Sequence, residues 1–281
     1  MSAPTSLQLR QAVLAVSVLS DVDLEPADDG VTLPGSPAVW ISWGECLRAL
    51  AGFEPSGSAG RTRLTGWLRA RRWCADAGPE ALAASLRPVG LPLEHVLHPG
   101  LDWVRERVLG DALDLGLGAL GLDPAEPESV VLVPTTALDA AGLDAELAWI
   151  GARQRLESMG ALAAERSQRD SKGILRPYGD CDVVTLLGAR SLRSALAEAA
   201  GGMAGAVVPM RRRGWTRLSL IDPAFGPAAA AATEAAERGF DRPLLITAEE
   251  VTVVGEGGRP QVIVLRDPAA DPPWVRDVLY R

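Results

Sequence analysis

The sequence predicts an α/β protein with a mixed α+β character: a largely helical N-terminal half, then a C-terminal mixed sheet, parallel and antiparallel, with packed helices. Three observations predict it. Apolar runs of strand length alternate with helix-length segments from residue 130 onward. The first half carries helical stripes, such as Leu64, Trp67, Leu68 and Cys74. The composition, 47% hydrophobic and 23% charged, is enough to bury a sizeable core.

Taken in order, Ala12–Leu19 is at the lower limit for a signal-peptide core, no convincing small-residue cleavage site follows it, and it reads as the first helix or strand. Pro34 and Pro37 precede a β-like run, Ala38–Ile41, that leads into Gly44–Leu50. After a Gly/Ser loop at Glu54–Gly60, Arg61–Ala75 reads as a helix. Arg87–Pro92 reads as a loop and Leu101–Leu122 as a charged, soluble helix. Pro124 and Pro127, close together among acidic residues, mark a boundary. The expected organisation is therefore a helical region over 1–122, a linker over 123–129, and an α/β region over 130–281.

In that last region Val130–Val133 reads as a strand. Thr136 caps a helix running to about Arg166, with Leu143, Leu147, Ile150, Met159 and Ala163 inward. Val183–Leu187 reads as a strand, Ser191–Ala200 as a helix, and Ala206–Pro209 and Leu218–Ile221 as strands. Asp222, Pro223 and Gly239 suit the cap, first position and exit of the next helix. Leu244–Thr247, Val251–Val254 and Val262–Leu265 complete the strands, the last two joined by a hairpin at Gly255–Gly258.

At 281 residues with a net charge of −8, two lobes or one domain with a large appendage is expected. The acidic balance repels phosphate backbones, so the reading is no nucleic acid and no membrane partner. No apolar run approaches the roughly 18 residues of a membrane span. The three cysteines, Cys46, Cys74 and Cys181, form no CxxC pair, which points to free thiols in a reducing, cytoplasmic setting. Lys172 is the only lysine. Arginine abundance is thus a compositional bias and carries less functional weight than usual.

The candidate sites lie mostly between residues 169 and 215. Gly188 before the Ser191 helix resembles a strand–glycine–helix junction, where an anion docks on free N–H groups, with Arg190, Arg193 and Lys172 adding charge. The spacing fits neither a phosphate-binding loop nor a dinucleotide fingerprint, and an ordinary connection is the simpler account. Arg211, Arg212 and Arg213, followed by Trp215, offer a clamp for an anion or an acidic partner. Along an extended run one of the three must face the protein body and needs a partner there. Asp180, Asp182 and Asp222 are the weak catalytic candidates; surface, turn or cap roles explain them as well. His95 and His98 lack the companions of a metal site, so no metal and no cofactor are expected. Trp40, Trp43, Trp67 and Trp73, among arginines, read as packing residues.

Two roles follow. One is a non-catalytic interaction, assembly or regulatory protein that uses the Arg-rich, Trp-containing surface to bind a protein partner or itself. The other is an enzyme or sensor for a small anionic ligand (nucleotide, phosphate ester or carboxylate) at the C-terminal edge of the sheet.

Overall fold

The computed structural model describes residues 6–93, 95–108, 112–170, 172–218 and 222–254. Among these residues eight helices and three antiparallel sheets make a mixed α/β fold. The chain forms two compact units: Met1–Val89, Glu94–Arg105 and Gly116–Arg153 make the first; Gly90–Leu93, Glu106–Leu115 and Gln154–Arg281 the second. The Pro-containing segment 123–129 lies inside the first unit.

Helix α1 (Ser6–Ser20) is followed by strands β1 (Glu25–Pro26), β2 (Gly30–Leu33) and β3 (Val39–Ser42), which form an antiparallel sheet in that order. Helix α2 (Trp43–Leu50) starts on a capping box written in the sequence as Ser42-x-x-Glu45. The Ser42 hydroxyl accepts the Glu45 N–H at 3.2 Å and the Glu45 carboxylate accepts the Ser42 N–H at 2.8 Å. Helix α3 (Ser58–Ser85) breaks at Gly78, whose φ of 73° no helix adopts, and Pro79 opens its second part. Leu9, Val13, Val16, Val31, Ile41, Leu50, Leu64 and Leu68 form one core of this unit.

Two expectations for this region are overturned. Arg87–Pro92 is not a loop but belongs to strand β4 (Leu86–Pro92). Leu101–Leu122 is not a helix: it holds strands β5 (Arg105–Val108) and β6 (Leu113–Leu120), with order β4-β6-β5. The reason is in Leu-Gly-Leu-Gly at 115–118. Glycine weakens a helix, and here its missing side chain is needed: a Cβ at Gly116 would enter the Trp103 ring and one at Gly118 would strike Val130. Of the charges in this stretch, Arg105, Glu106 and Arg107 lie along β5, and Asp114 is buried within β6, paired with Arg107 at 3.1 Å.

Strand β7 (Val130–Leu132) pairs antiparallel with β6. Helix α4 (Thr135–Ala140) ends at Gly142, which has φ 67°, so the expected single helix is two, the second being α5 (Ala145–Arg169). Its inward face is also rotated from the expectation. Leu147 and Ile150 are exposed, whereas Ala148, Trp149 and Ala152 pack on the core and Leu156 and Ala163 are buried. Packing on small residues, which hydropathy undervalues, sets the phase.

In the second unit, strand β8 (Ile174–Leu175) precedes helices α6 (Val183–Leu187) and α7 (Arg190–Ala199). The strand expected at Val183–Leu187 is therefore a helix. A five-residue apolar run cannot separate a strand from a fully buried helical turn by periodicity, and the Asp182 carboxylate decides by capping the Thr185 N–H at 2.7 Å. Strands β9 (Ala204–Met210) and β10 (Arg213–Trp215), helix α8 (Phe225–Ala232), and strands β11 (Leu244–Ile246) and β12 (Val251–Val253) follow. The sheet order is β12-β11-β9-β10-β8, antiparallel at every pairing, so the expected parallel pairs are absent among the described residues. The β9–β10 and β11–β12 connections are too short for the crossover a parallel pair needs. Helices α7 and α8 pack on β9, and α7 also on β11. The strand expected at Leu218–Ile221, except Leu218, and those at Gly255–Leu265 lie outside the described residues. No described helix is long and apolar enough to cross a membrane.

Candidate functional site

After α5 the chain turns at Asp170, whose carboxylate accepts the Lys172 N–H at 2.8 Å, and passes Gly173 at φ 66° into β8. The Thr216 N–H donates to the Gly173 carbonyl at 2.8 Å, which fixes this turn to the strand end of β10. Arg166, from the last turns of α5, reaches across. Its Nη2 donates to the carbonyls of Arg176 at 2.6 Å and Pro177 at 2.8 Å, and its guanidinium lies 5.1 Å from the Tyr178 ring centroid.

These ties enclose a cavity of about 360 Å³ beside β8, an edge strand of the sheet. Its basic wall is Arg166, Lys172 and Arg176, with Asp170 the one acidic group among the lining residues. Leu175, Val183, Leu186 and Leu192, from β8, α6 and α7, supply an aliphatic floor. Lys172 and Arg176 make no side-chain hydrogen bond or ion pair among the described residues.

The remaining candidates are dispersed. Tyr178 and Cys181 exchange backbone hydrogen bonds around the Gly179-Asp180 turn. Asp180 is held by Arg155 at 2.6 Å, while Asp182 caps α6 and pairs with Arg211 at 2.7 Å. Cys181, between them, is buried; burial first, and then both carboxylates, push its thiol up to about 12. The two aspartates are thus committed to separate structural pairs.

The N-terminus of α7, weighed from the sequence as an anion site against an ordinary connection, holds a carboxylate of the protein itself. Glu157 accepts the Arg190 N–H at 2.9 Å and the Ser191 N–H at 3.2 Å. Gly160 permits this approach, since a Cβ there would collide with Ala189. Arg193 is buried and donates to the carbonyls of Leu187, Gly188 and Ala248, closing the C-terminal end of α6. Burial lowers its pKa. Arg190 is exposed, 3.6 Å from an equally exposed Glu249.

The arginine triplet is divided. Arg211 turns inward to Asp182, and its carbonyl accepts the Val183 N–H at 2.8 Å; Arg212 and Arg213 face solvent. Trp215 meets Phe225 edge-on, with centroids 5.0 Å apart. Asp222 is exposed and accepts the Ala224 N–H at 2.8 Å in the turn before α8. Of the ligand-binding candidates, Lys172 alone lines the cavity; Arg166 and Arg176 were passed over because an exposed arginine on a helix end or beside a proline carries no pattern.

In the first unit His95 and His98 are buried, and each Nδ1 accepts a backbone N–H two residues on, from Leu97 and Gly100. Among the described residues no group of three His, Cys, Asp or Glu side chains is placed to hold a metal ion. Sequence reasoning also missed a buried polar network. Asp102 accepts from the Trp67 indole at 2.8 Å, the Thr136 hydroxyl at 2.6 Å and the Thr136 N–H at 3.0 Å. Arg71 donates to the same hydroxyl at 2.6 Å and to Glu45 at 3.0 Å. Arg71 can only donate and an ionised Asp102 can only accept, so the Thr136 hydroxyl must accept from one and donate to the other. The network ties Glu45 of α2 and Trp67 and Arg71 of α3 to Asp102 and Thr136, and so positions these helices.

Comparison with protein-family models, with curated proteins and with solved structures finds no match to this chain.

Proposed function

We propose that the second unit binds a small anionic ligand in the cavity beside β8, with Arg166, Lys172 and Arg176 as its cationic wall, and that it acts as a sensor or binding module. One observation carries the reading. In a chain of net charge −8, three cationic side chains, one from α5 and two flanking β8, meet over one cavity, and two of them have no side-chain partner among the described residues. Unpaired cations on a concave, partly apolar wall focus the field on an anion and strengthen its hydrogen bonds. The size falls within the range of small-molecule sites. The other arginines weighed from the sequence are held by Asp182, Glu249 and backbone carbonyls or face water, so they support no common surface.

Thermal unfolding of the full chain at constant ionic strength tests this, with inorganic phosphate and sodium benzoate as probes and chloride as the reference. A saturating probe, at about a hundredfold its Kd, stabilises by roughly 2.7 kcal/mol. The shift disappears in a K172A/R176A double variant. A shift that persists unchanged in that variant, or no shift with either probe, removes the proposal.

A further inference from the structure

We infer that the cavity selects a dianion, namely a phosphate monoester with a compact apolar body, over a carboxylate; this rests on the anion-binding reading above and narrows it. The charge balance points there. Arg166, Lys172 and Arg176 contribute +3 and Asp170 contributes −1, a net of +2 at the wall. A carboxylate brings one charge and two oxygens, leaving one cation uncompensated. A phosphate monoester brings about two charges near neutral pH and three terminal oxygens, one for each cationic side chain.

The wall is also organised in advance. Arg166 is anchored through Nη2 by two carbonyls, and its guanidinium lies over the Tyr178 ring, so its fork is oriented before a ligand arrives. The floor describes the rest of the ligand. Leu175, Val183, Leu186 and Leu192 give an aliphatic surface, and the lining residues include no aromatic ring to stack a base and no Asn or Gln side chain to read its edge. A small alkyl or aryl phosphate fits that surface better than a nucleotide.

Phosphate's own titration supplies a test that needs no change to the protein. A phosphate monoester has its second pKa near 6, so it passes from mostly monoanion at about pH 5 to almost wholly dianion at about pH 7.5. A carboxylate is ionised across that range. The charged groups facing the ligand are Arg166 and Asp170 at the end of α5 and Lys172 and Arg176 flanking β8; α6 and α7 contribute aliphatic side chains. Calorimetric titration of the full chain with phenyl phosphate and with benzoate, at constant ionic strength, is expected to show phenyl phosphate affinity rising roughly tenfold over this range, with benzoate unchanged and weaker at the upper end. The rise persists in D170N, because it belongs to the ligand, and D170N binds phenyl phosphate more tightly. Benzoate binding as tightly as phenyl phosphate, with no pH step, overturns the dianion inference while leaving the anion site standing. Failure of both ligands to bind overturns the site itself. A pH step that vanishes in D170N assigns the titration to the protein and also overturns the inference.

Discussion

Replacing Asp102 tests how the first unit is held together. Its carboxylate is 4% exposed and receives three hydrogen bonds: Trp67 Nε1–H and the Thr136 hydroxyl on Oδ2, and the Thr136 backbone N–H on Oδ1. D102A leaves three donors without an acceptor. Each orphaned buried donor costs about 1–3 kcal/mol, and partial relaxation brings the expected loss to roughly 4 kcal/mol. D102N keeps the shape, and its amide can be placed two ways. With the NH2 at Oδ2, two donors oppose it; with the NH2 at Oδ1, only the Thr136 N–H does. The second arrangement costs less, so D102N is expected to lose about 1–2 kcal/mol. W67F removes one donor, leaves the carboxylate two and leaves a small cavity where the buried indole packed, giving roughly 2 kcal/mol. Urea unfolding followed by circular dichroism measures all three, with unchanged m-values as the sign that the denatured state is unaltered. D102A and D102N of equal stability would refute the argument from donor counting, as would a D102A loss below about 1 kcal/mol.

Three further outcomes are expected. D182A and R211A each lose about 3 kcal/mol in the same melts, since each strands its partner in a largely buried pair, whereas R212A and R213A stay within about 0.5 kcal/mol; equal effects across the triplet would contradict its division. Burial pushes the Glu45 carboxyl up, but the Ser42 N–H, Arg71 and the Ser42 hydroxyl together hold it below 4.5. A lowered native pKa contributes stability that is complete above the unfolded value and is lost as pH falls through the native one. The stability gap between wild type and E45Q is therefore constant from neutral pH down to about 4.5 and narrows below it; a gap that widens in acid reverses the sign. Finally, burial pushes the thiols of Cys46, Cys74 and Cys181 up to about 12, so Ellman's reagent finds none in the native protein and three in denaturant. A fast native thiol would show that one of them is open to solvent.

Much of the element map was legible. The helix over Arg61–Ala75 and the strands at Val130, Ala206, Leu244 and Val251 follow from stripes and apolar runs. The misreadings share a cause. At Leu115–Gly118 and Val183–Leu187 the local pattern admits both helix and strand, and the choice is made by what the backbone packs against: Trp103 and Val130 in one case, the Asp182 cap and the turn at Arg211 in the other. The phase of α5 was misjudged because its inward residues are mostly alanines.

The candidate site was legible only at Lys172. Arg176 stood in the segment of interest without a role, and Arg166 lies ten residues upstream on another element. By itself the sequence determined the acidic balance, the α/β composition and the absence of a CxxC pair. These follow from residue identity and local apolar pattern, which act over short range. The arginine triplet instead straddles the β9–β10 turn, so Arg211 reaches Asp182 from a turn and not by alternation along an extended run. The tertiary structure decided which carboxylates would be consumed by which arginines, and which cations would be left over. That selection depends on distances between elements far apart in the chain, because charges a few ångströms apart neutralise one another wherever they stand in sequence, and only the unpaired remainder is available to a ligand.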